Sequence, residues 1–392
     1  MTVFDDRLFD FAETDVEREV VAAVQEFGGV RKASENIDRS YGAVQKHFKR
    51  VKERAALRGH SPKHGWNKVV PDPFFIKRNS AHYDKDGKPA GGWVISEPHK
   101  DRQLEAAKEV IGALAEDLPR VNPRPIRRQI HDERLMTVIP IADPHIGMYS
   151  HHEESGANYS TDIAVSDTCH AVDYLVKQGP HSKRCLIINL GDWLHADNLS
   201  GVTEKSGNVL DMDTRMPLVI RKAMAAMRQC VETALKHHEH VELMNISGNH
   251  DEILGCAFRV AFAMLYENEP RVTIHEASTS RQYIRFGKVL IGATHGHQTK
   301  DAGLPGIMAA EQCENWGQAR FRYFYRGHHH QDDRKEFPGC VVEQFRNLAA
   351  PDAYAAEHGF LSGRDMKAIV MHRDYGEVSR ITCALDMLRD AA

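Results

Sequence analysis

The stretch CLIINLGDWLH, Cys185 to His195, decides the reading of this chain. Cys185 to Leu190 is a short apolar run stopped by Gly191, the pattern of a buried strand. It delivers Asp192, Trp193, Leu194 and His195 at its C-terminal end, which is where α/β sheets place ligands. The same arrangement recurs four times. Leu135 to Ile141 (LMTVIPI) delivers Asp143-Pro144-His145, and Val241 to Ile246 (VELMNI) leads into Ser247-Gly248-Asn249-His250-Asp251. Val289 to Ala293 (VLIGA) leads into Thr294-His295-Gly296-His297, and Phe321 to Tyr325 precedes Gly327-His328-His329-His330. Any one cluster is weak, because a lone strand-end histidine is usually just hydrogen-bonded. Five in order are a pattern.

Working outward, the region before the first strand has a different texture. Thr14 and Glu17 form a capping box, and Val16, Val20, Val21, Val24 and Phe27 recur on one helical face until Gly28-Gly29. A second helix spans Val30 to Ile37, a tight turn falls at Asp38-Arg39, and Ser40 caps a third helix to about Leu57 with Gly59 beyond it. Three short helices with a tight turn before the third resemble a helix-turn-helix. The third carries Lys46, Lys49, Arg50, Lys52, Arg54 and Arg58 against one acid, Glu53, while Val44, Phe48 and Val51 form its apolar face. Residues 1–60 are therefore expected to be a DNA-binding module, with Lys46, Lys49, Arg50 and Arg54 on phosphates.

Residues 61–130 read as a connector. Phe74 to Tyr83 is predicted to pair with Trp93 to Ile95 around Asp86-Gly87, a helix is predicted over Arg102 to Asp117, and a basic, proline-rich linker over Pro119 to Arg128. Residues 131–392 are left for the α/β domain.

Composition narrows the class. With 42% hydrophobic and 27% charged residues the 392-residue chain is an ordinary globular protein, and no apolar run is long enough for a membrane span. The net charge of -4 argues against a surface that coats nucleic acid everywhere. The acidic opening MTVFDDRLFD is unlike an export signal, and seven scattered cysteines form neither C-x-x-C pairs nor a disulfide framework. A reducing cytoplasm is the expected compartment.

The series D-x-H, G-D-x-x-H, G-N-H-D, H and G-H-x-H resembles the calcineurin-like metallophosphoesterase superfamily. The resemblance implies two facing mixed β-sheets flanked by helices, with metals at the strand ends along one edge. It places Asp143, His145, Asp192 and His330 on one divalent ion, and Asn249, His295, His328 and again Asp192 on a second. Carboxylate, imidazole and amide oxygen suit Mn²⁺ best, with Fe²⁺ or Zn²⁺ as alternatives. The chemistry implied is in-line attack at phosphorus by a two-metal-activated hydroxide. His250 would contact the phosphoryl oxygen or protonate the leaving group, oriented by Asp251. Gly191, Gly248 and Gly327 would let the backbone turn sharply, His329 would be structural, and His297 would lie on the substrate side or be solvent-exposed.

GDWLH is similar to the GDxxH of SbcD-type DNA-repair nucleases, which suggests that His195 steers a phosphodiester. The whole layout also resembles phage and prophage metallophosphoesterases with an N-terminal helix-turn-helix. In that reading Lys205, Asn208 and Arg215, on or beside the stretch SGNVLDMDTR, contact substrate phosphate. The expectation is a metal-dependent DNA phosphodiesterase. Its rivals are a small-molecule phosphatase or cyclic-nucleotide phosphodiesterase, and a DNA-binding assembly factor with an inactive phosphoesterase fold.

Overall fold

The computed structural model describes residues 6–61, 66–67, 74–83, 89–98, 131–199, 201–202, 209–277, 279–357, 359 and 362–389. The chain divides into two compact units, Met1–Glu105 and Ala106–Ala392.

In the first unit, helix α1 (Asp15–Phe27) begins where the Thr14 hydroxyl accepts the Glu17 N–H at 3.2 Å. The Glu17 carboxylate turns back to accept the Glu13 N–H at 3.0 Å. Gly28, at φ 76°, ends the helix in the left-handed region that favours glycine. Helix α2 (Val30–Asn36) buries Ala33, and α3 (Tyr41–Leu57) starts at the Ser40 cap and buries Val44, Val51 and Ala55. These helices fall where the apolar spacing predicts them.

Arg54 is a correction. Rather than facing outward for DNA, its guanidinium reaches Glu17 at 2.9 Å, Glu13 at 3.3 Å and the Phe11 carbonyl. Glu17 is almost fully buried, and an apolar surround makes a charged partner there obligatory. Lys46, Lys49 and Arg50 remain exposed.

Strands β1 (His60–Ser61) and β2 (Trp66–Asn67) form a short pair. β3 (Phe74–Tyr83) and β4 (Pro89–Pro98) make the expected hairpin, but β4 is longer than Trp93 to Ile95. The predicted helix over Arg102 to Asp117 and the proline-rich linker lie outside the described residues.

The second unit contains two mixed sheets. β5 (Asp132–Ile141), β6 (Ser182–Asn189), β7 (His240–Asn245) and β8 (Val272–His275) are parallel neighbours, with β14 (Asp365–His372) and β15 (Gly376–Ala384) added antiparallel beside β5. The other sheet runs in the order β12 (Asp333–Phe337), β13 (Cys340–Gln344), β11 (Phe321–Arg326), β10 (Val289–Thr294), β9 (Arg281–Phe286), with β13, β11 and β10 parallel. Met136, Val138, Leu186 and Ile188 of the first sheet pack on Ile284, Val289, Ile291 and Tyr325 of the second.

Helices α4 (Thr161–Gln178), α5 (Met216–Ala234) and α6 (Glu252–Leu265) cover the outer face of the first sheet, and α7 (Leu304–Glu311) that of the second. The fold is thus two mixed sheets flanked by helices. After the last polar cluster the chain serves both sheets: Val341-Val342 pairs within the second, whereas β14 and β15 extend the first through pairing of Leu135–Val138 with Ile369–His372. Alternation tells which face of a strand is buried, not which free edge accepts it. No helix among the described residues is long and apolar enough to cross a membrane.

Candidate metal centre

All five polar clusters sit just beyond the C-terminal ends of β5, β6, β7, β10 and β11. Because β5, β6 and β7 are mutually parallel, as are β10 and β11, their ends gather at one edge. There the backbone is strained in a consistent way. Asp143 (φ 47°), His145 (φ 44°), Asp192 (φ 50°), His328 (φ 78°) and His330 (φ 55°) are the non-glycine residues with positive φ among those described. A side chain in that region costs energy and persists only where the surroundings impose it. Each of the five belongs to the ligand set expected from the sequence.

The side chains converge in three groups, of which one, His145, His195 and His250, holds no carboxylate and the other two are made of expected ligands. Ligand atoms of Asp143, His145 and His330 lie within 4.8 Å of one another, and so do those of Asp192, His295 and His328. His145 Nε2 is 3.3 Å from His330 Nε2, and His295 Nε2 is 3.2 Å from His328 Nδ1 and 2.8 Å from Asn249 Oδ1. Two nitrogens bound to one ion at about 2.1 Å stand roughly 3.0 to 3.4 Å apart, so these spacings are those of neighbouring donors on a common cation. Asp192 Oδ2 lies 3.2 Å from His295 Nε2 and 4.0 Å from His145 Nε2, between the groups.

Charge supports the same assignment. Asp143 and Asp192 are 0% and 2% exposed, and among the described residues no lysine or arginine nitrogen approaches either carboxylate within 4.0 Å. Two buried anions without a fixed cation call for one from outside. The His295 imidazole supplies part of that charge. Burial pulls the His295 pKa down, but Asp192 and Asp143 overcome it and push it up to about 10. Burial and the neighbouring His250 bring His195 down to about 3, and burial with His295 brings His328 down to about 4. The donors, carboxylate, imidazole and amide without thiolate, fit Mn²⁺, Fe²⁺ or Zn²⁺.

Glycine enforces the approach. A Cβ on Gly248 would fall 2.0 Å from Asp192 Oδ1, and one on Gly327 would fall 2.3 Å from Asp143 Oδ2. At these two positions the need is for space beside a carboxylate, rather than the sharp turn expected from the sequence; Gly191, at φ 97°, does take that turn.

Three further residues differ from expectation. Asp251 does not orient the His250 ring. Its buried carboxylate accepts the N–H groups of Gly248 (2.7 Å), Asp192 (3.2 Å) and Leu194 (3.2 Å), while His250 Nδ1 donates to the His195 carbonyl at 2.8 Å. Burial and the nearby Asp192 raise the Asp251 pKa to about 6. His195 is 2% exposed, with Nδ1 3.3 Å from His145 Nδ1 and its ring stacked on His250, so it backs the cluster instead of opening to substrate. Arg215 is exposed at the start of α5, and among the described residues no hydrogen bond or ion pair joins it to the cluster. Asn208 and Lys205 lie outside the described residues. His297 and His329 are exposed, their rings beside His295 and His328 respectively.

No protein-family model and no curated protein matches the sequence. Among solved structures, the chain is similar to an archaeal phosphodiesterase, with 11% identity over 64% of this chain and 99% of that one and a TM-score of 0.32. A predicted phosphoesterase from Streptococcus pneumoniae is 11% identical over 64% and 98%, with a TM-score of 0.27. Vps29 from Entamoeba histolytica, solved with zinc, is 13% identical over 64% and 99%, also at 0.27. At such identities and scores neither substrate nor activity transfers to this chain.

Asp197, Asn347 and Tyr159 hold roles that no motif announces. Asn347 donates to the Asp143 carbonyl at 3.2 Å, and the Tyr159 hydroxyl donates to the Pro144 carbonyl at 2.7 Å, which together hold the first ligand turn. Asp197 stands two residues beyond His195 in GDWLHAD, and an acid so near the ligand turn was the one signal in the sequence.

Proposed function

We propose that this chain is a phosphodiesterase that uses two divalent ions, and that DNA is its substrate. The observation that carries the hydrolase reading is Asp192. It is a buried carboxylate held at positive φ, with its Oδ2 between two groups of imidazole and carboxylate donors. Asp143, His145 and His330 would hold one ion, Asn249, His295 and His328 the other, and Asp192 would serve both. Cations bound there would supply Lewis acidity toward a phosphoryl oxygen and would acidify water at neutral pH.

The protein's own groups do the rest. Since a carbonyl only accepts, the His250 Nδ1 that faces the His195 carbonyl carries the proton. Nε2 is then the atom able to accept a proton or, once charged, to give one to a leaving oxygen. The DNA reading is supported by the exposed Lys46, Lys49 and Arg50 on α3, on a three-helix unit whose last helix is the basic one.

The test is to incubate the protein with Mn²⁺ and, separately, single-stranded DNA, duplex DNA, bis-p-nitrophenyl phosphate and p-nitrophenyl phosphate, with Asp192→Asn as control. Cleavage of DNA and of the diester is expected. Activity confined to the monoester would overturn the diester reading, and binding of DNA without turnover of any ester would overturn the enzymatic one.

A further inference from the structure

The turns after β6 and β7 are joined by two carboxylates that exchange places. Asp251, at the N-terminal boundary of α6, does not cap its own helix; it reaches back to the N–H groups of Asp192 and Leu194, and within its own turn to that of Gly248. Asp197, on the turn after β6, reaches forward and accepts the N–H groups of Ile253 at 2.7 Å and Leu254 at 2.8 Å, in the first turn of α6. Each turn thus supplies the acceptor that the other's backbone lacks. A carboxylate at the positive end of a helix also gains from the aligned peptide dipoles.

Between these crossed bonds lie the ligands that must stay in register. Asp192 donates its own N–H to Asp251, and its Oδ1 accepts the His250 N–H at 2.8 Å. Asn249, one residue away, points its amide oxygen at His295. From this geometry we infer that Asp197 and Asp251 are positioning residues, a reciprocal clasp that fixes Asp192 and Asn249 relative to one another and so sets the affinity of the ion held with His295 and His328.

The inference rests on the two-ion reading above, but its readout is binding and not turnover. Partners of this kind change metal affinity about 10- to 100-fold when removed. The experiment titrates Mn²⁺ into the ion-free full-length protein by isothermal titration calorimetry, for wild type, Asp197→Ala, Asp197→Asn and Asp251→Asn, with unfolding temperature measured on each ion-free sample. Asp197→Ala, which loosens the turn that carries Asn249, is expected to weaken one of two binding steps by about tenfold or more, and the other, which shares only Asp192, by less. Asp197→Asn, which keeps a capping oxygen, should recover part of the loss. If Asp251→Asn does not fold, the Asp197 pair still decides.

Two unchanged steps in a folded Asp197→Ala protein would overturn the clasp, and so would equal weakening of both steps together with a lower unfolding temperature, the mark of a merely structural cap. Failure of the two-ion reading is distinguishable, because wild type itself would then show fewer than two binding steps.

Discussion

Gly248→Ala tests the site with a single methyl group. The added Cβ would stand 2.0 Å from Asp192 Oδ1 and 2.4 Å from the Asp192 nitrogen. Carbon and oxygen in contact need about 3.3 Å, so one side must retreat by roughly 1 Å or more. The Asp192 side has little freedom: its N–H is held by Asp251 and its Oδ1 by the His250 N–H. Oδ2 stands only 3.2 Å from His295 Nε2, so a retreat on that scale takes it out of one donor group. Misplacement of about 1 Å costs on the order of 100-fold in rate. The assay is hydrolysis of bis-p-nitrophenyl phosphate in Mn²⁺, with bound metal counted on the same samples. Gly306→Ala, where a Cβ meets nothing within 4 Å on helix α7, is the matched control and should be neutral or slightly stabilising. A Gly248→Ala protein that keeps its full metal content and a rate within about threefold of wild type would refute the steric reasoning.

Other outcomes follow from the two units. Hydrogen bonding from Arg54 holds the Glu17 carboxyl at about 2 instead of 4.5, against the effect of burial. With the partly open Arg54 screened by solvent, that difference is worth about 2 to 3 kcal/mol. This stability is full above pH 4.5 and is lost as the pH falls toward 2, so the protection of α1 and α3 amides relative to their intrinsic exchange rate at each pH should fall over that window, and Glu17→Gln should abolish that fall. Exchange that is equally fast in both proteins at about pH 6 would contradict it. Replacing Lys46, Lys49 and Arg50 with Gln should weaken DNA binding and flatten its salt dependence by about one released ion for each phosphate left unneutralised. Arg54→Ala should instead lower the unfolding temperature of the first unit. Removal of divalent ions with a chelator should lower the unfolding temperature of the second unit, and re-addition of Mn²⁺ should restore it in proportion to the logarithm of its concentration; a midpoint that ignores the ion would argue that the donors do not bind it.

The strands that carry the site were legible because each is a short apolar run ending in a polar cluster, a signal that survives without any knowledge of pairing. Helices α1 to α3 were legible for a similar reason, since Thr14, Gly28 and Ser40 mark their ends chemically. Long-range choices were not. β14 and β15 could join either sheet until the pairing of Ile369 with Val138 was known. Arg54 reads as one more basic residue on a basic helix, and only the packing of α1 against α3 brings Glu17 beneath it. Asp251 follows a histidine in GNHD and so reads as that histidine's neighbour in function, yet it bonds backbone alone, two of its three bonds going to a turn 57 to 59 positions earlier.

The left-handed backbone at Asp143, His145, Asp192, His328 and His330 sets fold against function. Glycine would relieve roughly 1 kcal/mol at each such position in the ion-free chain. A directed-evolution campaign that rewarded heat resistance in the presence of a chelator would therefore gain by discarding these residues one after another, and its winners would be robust scaffolds with nothing left to grip a cation.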